Sequence, residues 1–330
     1  MLKTLTTAIL ALTLASTAGH AQSVDKPPVL EDLTNEPSRA ALFMEHVKRT
    51  PGEGHSLLLN HFIFPDQALK DQGVVRKNAI FGIDISHHTS SDFPFAQLKA
   101  NEVRFVYVKA SQGTRYRDAK FASFWSDLTA LTGEQRVHKG AYHFLSATPD
   151  ADPRSDGQSQ AKTFVYVLSL SGAVTSTGAI KDTDMPPALD LEEDYDSAHQ
   201  DRWNRLSSTQ IIDKVRAWLT YVEKTTGRRP IVYTSKSWWD ARIGRAPKDS
   251  FAALLPGYLV WVADYSRTQR AVEQPQRPAD APMGLWQFTA SAEITDLFPG
   301  GLDATIYKGS QADFFKKFNV KPFTLADEEW

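Results

Sequence analysis

From Ile80 onward the chain alternates short apolar runs with amphipathic stretches. Seven runs predict strands: Ile80–Ile85, Val103–Ala110, Val137–Phe144, Pro187–Leu191, Pro230–Thr234, Tyr258–Ala263 and Gly284–Phe288. A last short strand is predicted around Leu302–Ile306. Helices are predicted between several of them. The clearest begins at Ser207, where Ser207 and Gln210 fit a capping box. Ile211, Ile212, Val215, Trp218, Leu219 and Val222 then form one apolar stripe, and Gly227 suits the stop before Pro230 opens the next strand. Phe121–Leu131 and Ala161–Leu170 are further helix candidates.

Strands alternating with helices predict a parallel sheet. About eight strands in roughly 240 residues predict a closed α/β barrel of the TIM-like (β/α) type, with some late strands lacking helices. The competing arrangement is a doubly wound open sheet.

The segment before Ile80 has a different texture. Met1-Leu2-Lys3 is a positive start, Thr4 to Ala18 is uncharged and mostly apolar, and Gly19-His20-Ala21 offers small residues where a signal peptidase reads. This predicts a secretory signal over residues 1–21, cleaved after Ala21; the run is short and interrupted by threonines for a membrane anchor. Residues 22–79 predict a small N-terminal extension. Ser23–Pro37 reads as a linker, Arg39–Lys48 has helical spacing, Pro51–Gly54 is a turn signal and Leu57–Phe64 is an apolar patch. The main domain is predicted over residues 80–320 and a tail over 321–330.

Composition narrows the class. Of 330 residues, 42% are hydrophobic and 23% charged, enough for an ordinary core. The net charge of −2 lacks the basic footprint of a nucleic-acid binder. The absence of cysteine excludes disulfides and thiolate metal sites, and fits a periplasmic or extracellular protein that stands on its core alone.

The strongest chemical feature is Pro187-Ala188-Leu189-Asp190-Leu191-Glu192-Glu193, an apolar strand ending in carboxylates. Strand period places Asp190 and Glu192 on one face with Cα atoms about 6.5–7 Å apart. Crowded, partly dry carboxyls resist joint ionisation, so one can hold a proton near neutral pH. Glycoside hydrolysis needs that division of labour: one protonated carboxyl, one ionised. The competing reading is a solvated acidic loop, because Glu193, Asp194 and Asp196 follow. Asp84, inside Phe81–Ser86, is an acid in an apolar strand and needs either a partner or a functional site. Asp303, after Gly300-Gly301-Leu302, is a third such acid. His87, His88 and His143 match no metal-binding spacing, and neither a nucleophile elbow nor a phosphate loop is present. No metal or organic cofactor is expected.

At these residues the sequence resembles the family 25 glycoside hydrolases, the Chalaropsis-type lysozymes or N-acetylmuramidases. The resemblance runs in order through Phe81–Ser86, Phe105–Gly113, Gly140–Phe144, Pro187–Glu192, Pro230–Thr234, Trp261–Tyr265, Leu285–Phe288 and Leu302-Asp303. It implies a peptidoglycan hydrolase that cuts the β-1,4 bond between N-acetylmuramic acid and N-acetylglucosamine. It implies Glu192 as general acid/base, with Asp190, Asp84 and Asp303 as the other site acids. Tyr142, His143, Tyr233, Trp261, Asp264, Trp286 and Gln287 are implied as sugar-contacting or site-lining residues. The implied partner is the glycan strand, with no nucleic acid and no stable membrane insertion after signal cleavage. Gln112 stands where the family often has Glu. Two routes stay open: attack by the substrate's own 2-acetamido group, or direct attack by a carboxylate such as Asp84. Two other functions compete with lysozyme action: non-catalytic peptidoglycan binding, and hydrolysis of another amino-sugar polysaccharide.

Overall fold

The computed structural model describes residues 27–33, 62–66, 78–266, 269 and 273–323. The predicted signal over 1–21, the helical stretch 39–48, the turn at 51–54 and most of the tail 321–330 lie outside the described residues. Among those residues no helix is long and apolar enough to cross a membrane.

Eleven strands are described. They are β1 (Glu31–Leu33), β2 (Phe62–Phe64), β3 (Ala79–Ile85), β4 (Val103–Gln112), β5 (Tyr116–Asp118), β6 (His138–Phe144), β7 (Ala188–Asp190), β8 (Ile231–Ser235), β9 (Leu259–Ala263), β10 (Met283–Ile294) and β11 (Phe298–Lys308). Six α-helices are described: α1 (Phe121–Ala130), α2 (Pro153–Leu170), α3 (Ser208–Thr226), α4 (Lys236–Arg242), α5 (Phe251–Leu254) and α6 (Gln311–Phe318). Each of the eight strands read from the sequence is present.

Among the described residues β3, β4, β6, β7, β8, β9, β10 and β11 close into a barrel, because β4 pairs with both β3 and β6. Strands β3, β4, β6, β7, β8, β9 and β10 run parallel around the wall; β11 runs antiparallel between β10 and β3. This is the TIM-like architecture with one crossover replaced by a hairpin. The tight turn after Ile294, closed by Leu297 N–H donating to the Ile294 carbonyl at 3.0 Å, leaves no length for a crossover helix, so the chain must return antiparallel.

The strand period sorts side chains into two cores. Inside the barrel lie Phe105, Tyr107, Tyr142, Tyr233, Trp261 and Tyr307. The interior is filled by rings, and glycines make room for them. A Cβ on Gly82 would sit 2.2 Å from the Phe105 ring, and one on Gly140 would sit 2.4 Å from the Tyr107 ring. Phe314 and Phe318 of α6 close the end opposite the carboxylates. Outside the wall, apolar residues of the other parity pack under the helices.

Helix α3 follows the predicted capping box at Ser207 and Gln210 and stops at left-handed Gly227. Helix α2 starts eight residues before the predicted Ala161. Asp152 caps it by accepting from Ser155 N–H at 2.9 Å and Pro153 occupies its first turn, whereas the polar run from Arg154 to Gln160 carries no apolar stripe.

Two pieces of the N-terminal extension join the sheet. In the stretch read as a linker, β1 pairs in parallel with β5, helped by Arg115–Glu31 and Arg117–Asp32 ion pairs. Three residues on a sheet edge are too few for a periodic signal. Strand β2 pairs with the far half of β10, and Phe62 and Phe64 pack against Phe81 and Phe288. These rings cover the barrel wall on the side where β10, β11 and β3 meet.

Candidate active site

The candidate acids gather at one end of the barrel, where the parallel strands finish. Asp84 lies at the end of β3, and Asp303, the first residue of the antiparallel β11 to pair with β3, is its direct register neighbour. The reversal of β11 is what brings the first residue of its pairing with β3 to the same end as residues near the finish of the other strands. Asp190 ends β7, and its backbone is fixed on both sides: its carbonyl accepts from Leu145 N–H at 2.9 Å, and Leu191 N–H donates to the Tyr233 carbonyl at 2.9 Å. Leu189 and Leu191 belong to the outer core and Ala188 to the inner one, so alternation turns Asp190 inward. Asp190 is 1% exposed and Asp84 3%. Glu192, two residues on, is half-buried at the barrel mouth.

The inner hydrogen bonds have a definite direction. Gln287 is buried; its amide nitrogen donates to Asp84 Oδ2 at 2.7 Å. Its carbonyl oxygen accepts from Tyr233 Oη at 2.7 Å and from the Tyr265 hydroxyl. Two hydroxyl donors on one oxygen fix the amide orientation and aim its N–H at the carboxylate. Trp261 lies below, its indole N–H donating to Thr305 Oγ1 at 3.1 Å, with Tyr107 and Tyr233 against its ring. Tyr142 faces the same interior.

Three residues placed in the site by resemblance lie elsewhere. His143 is on the outer face of β6, beneath α2 and α3. Its ring stacks on Trp218 and is held by Ser111 Oγ at 2.8 Å and Gln160 Oε1 at 3.3 Å. Burial pushes its pKa down to about 3, so it is neutral at neutral pH. The inward position belongs to its neighbour Tyr142. Trp286 likewise lies in the outer core beside Phe288, its indole N–H donating to the Asp264 carbonyl at 2.8 Å, while the next residue, Gln287, takes the inward position. The Asp264 carboxylate holds its own loop, accepting from Ser266 N–H at 3.0 Å and Gln276 N–H at 2.6 Å.

Sequence reasoning missed two inward residues. Tyr265 shares the parity of Trp261. Lys109 shares the parity of Tyr107; its ammonium donates to Gln112 Oε1 at 2.7 Å and lies 5.1 Å from the Phe144 ring centroid. A lysine in an apolar strand carries the same signal that singled out Asp84.

Glu193, beside Glu192, is held well above the usual carboxylate range, at about 7. Burial is the main cause, and the charges of Glu192 and Asp201 add to it. A raised folded-state pKa means the native state binds the extra proton between pH 4.5 and 7, so stability falls as pH rises through that window. Glu193→Gln is therefore expected to gain stability over the parent by up to about 3 kcal/mol at pH 8.5 and to gain nothing at pH 4. Chemical unfolding at the two pH values checks this; equal differences at both would contradict it.

Carboxyls clustered at the finishing ends of parallel strands in a barrel packed with aromatic rings define the site of a glycoside-cleaving barrel enzyme. A sequence profile described as Glycosyl hydrolases family 25 matches residues 83–297, and the chain belongs to that family. Lysozyme M1 of Streptomyces globisporus is 29% identical over 93% of this chain and 90% of its own length. The N,O-diacetylmuramidase of a Chalaropsis species is 31% identical over 50% of this chain and 70% of its own. The crystal structure of the bacterial lysozyme from Streptomyces coelicolor shares the fold, with a TM-score of 0.57 and 24% identity over 74% of this chain and 99% of that one.

Proposed function

We propose that this enzyme is an exported muramidase that cleaves the β-1,4 bond between N-acetylmuramic acid and N-acetylglucosamine in peptidoglycan. The observation that carries the reading is the split environment of the strand-end acids. Asp190 is almost fully buried where β7 ends, while Glu192, two residues beyond the strand, is half-buried and accessible to a glycan strand. The family membership and the two relatives named for lysozyme and muramidase action support the substrate.

In the proposed mechanism Glu192 protonates the glycosidic oxygen as the bond to the anomeric carbon breaks. The developing oxocarbenium charge is met by the inner carboxylates. Asp84, kept as an acceptor by the Gln287 amide, and Asp303 beside it supply negative charge from one side. In this mechanism Asp190 supplies it from the other and orients the 2-acetamido group for attack on the anomeric carbon. Water, losing a proton to Glu192 now acting as base, then bonds to the anomeric carbon and displaces the acetamido oxygen, which restores the 2-acetamido group. Tyr142 and Tyr233 line the interior beneath the sugar, and Trp261 forms the floor. No step calls for a metal or an organic cofactor. Export rests on the N-terminal charge-and-apolar pattern and on the location of the substrate outside the cytoplasm.

Purified cell-wall sacculi test the reaction class. Soluble muropeptides and new reducing ends are expected to accumulate with time. Sedimentation of the protein with the sacculi and no release would identify a binding protein on this barrel and contradict hydrolysis.

A further inference from the structure

The segment after Glu192 is built more tightly than a connecting loop needs. It folds as a small hairpin in which Asp196 N–H donates to the Gln200 carbonyl at 3.0 Å and Arg202 N–H to the Asp194 carbonyl at 2.8 Å. Two buried carboxylates tie it down. Asp194 accepts from Arg202 at 2.6 Å and from Ala147 N–H at 2.8 Å, which joins it to the segment after β6. Asp201 accepts from the N–H groups of Asp194 at 3.2 Å and Trp203 at 3.1 Å through one oxygen, and from Arg242 at 2.6 and 3.0 Å through the other. Arg242 comes from α4, forty-one residues away in sequence.

These contacts converge on Trp203. Its ring is fully buried, edge-on to Trp238 at 5.6 Å, with the Lys214 ammonium 5.6 Å from its centroid. Its indole N–H donates to the backbone carbonyl of Glu192 at 2.7 Å. A tryptophan locked on every side therefore grips the peptide unit of the proposed proton donor, and the Asp201–Arg242 pair locks the tryptophan's own backbone. A donor must reach its acceptor within hydrogen-bond distance, and a displacement of about 1 Å can cost two orders of magnitude in rate.

We propose that Trp203 and the Asp201–Arg242 pair are positioning residues that set where the Glu192 carboxyl stands, and so govern turnover without touching the glycan. This rests on the assignment of Glu192 as proton donor. It separates a layer of the molecule that binds sugar from a layer that aims the acid, so its loss should reach kcat and spare KM.

Trp203→Phe keeps an aromatic ring in the pocket and removes the donor to Glu192 together with part of the indole's buried bulk. Arg242→Met removes the clamp, and Arg242→Lys keeps its charge. With a defined peptidoglycan oligosaccharide as substrate, Trp203→Phe and Arg242→Met are each expected to lower kcat at least fivefold, with KM within twofold of the parent. Arg242→Lys should recover most of the loss. Melting temperatures recorded alongside ensure that only folded protein is compared, and Trp203→Phe alone decides the matter where Arg242→Met does not fold. Parental kcat in folded Trp203→Phe, or a rise in KM that accounts for the loss, overturns the proposal. Glu192→Gln in the same series separates the two layers of inference. If it is inactive while Trp203→Phe and Arg242→Met are fully active, the positioning role fails alone. If it is active, the assignment of Glu192 fails first.

Discussion

Glu192→Gln should lose at least about a thousandfold in turnover while still folding and binding glycan, as expected when a general acid is removed from a site that otherwise remains intact. The substitution changes one oxygen to an amide nitrogen and leaves the peptide carbonyl held by Trp203 untouched. Glu192 is half-buried at the end of a strand, so a neutral amide there strands no buried charge. The melting temperature should therefore stay near that of the parent, and affinity for an uncleaved oligosaccharide should remain within a fewfold. Steady-state rates on cell walls with calorimetric binding check both halves. A thousandfold loss accompanied by loss of binding would point to a contact residue instead of a proton donor.

The second large effect is on stability. Phe64 is fully buried, edge-on to Phe62 at 4.9 Å and to Phe81 at 5.7 Å, on a barrel wall to which the extension contributes β2. Phe64→Ala opens a cavity in that cover and should cost about 3–5 kcal/mol, a large share of the roughly 5–15 kcal/mol that holds a domain together. The acids lie at the barrel mouth, so kcat per folded molecule should be preserved. Urea unfolding and active-fraction measurements separate the two. A loss under 1 kcal/mol would mean that β2 is dispensable decoration on a barrel complete without it.

How much of this was legible in the sequence depends on whether the deciding interaction was local. The eight barrel strands and the capped helix at Ser207 were legible because period and caps act within one element. The inward acids Asp84 and Asp190 were legible for the same reason, whereas Tyr233 and Gln287 came only from the family resemblance. The misplacements came from treating neighbours alike. Tyr142 with His143, and Trp286 with Gln287, are adjacent strand residues, and alternation admits one of each pair to the interior. Lys109 was visible by the logic applied to Asp84 but was not singled out.

Other features depend on non-local pairing. Nothing in Leu302–Ile306 says that its strand runs antiparallel; the tight turn at Ile294–Phe298 decides that, and with it the meeting of Asp303 and Asp84. The covering role of Phe62 and Phe64 depends on the wall they meet, and the grip on Glu192 depends on Arg242 finding Asp201 across the fold. Glu193 looked like one more solvated acid in a run of acids. Burial beside Glu192 and Asp201 makes it the carboxyl of that run held near 7.

Hydrolysis by the acids at the barrel mouth, with Glu192 as the donor, is expected on the muramic acid side of the glycan. Mass spectrometry of fragments released from defined, uncrosslinked peptidoglycan reads this out, because the sugar left with a free reducing end records which bond was cut. The parent enzyme should leave N-acetylmuramic acid at every new reducing end, and Glu192→Gln should leave none in the same time. N-acetylglucosamine at the new ends, or muramic acid ends formed by Glu192→Gln at the parental rate, would contradict it.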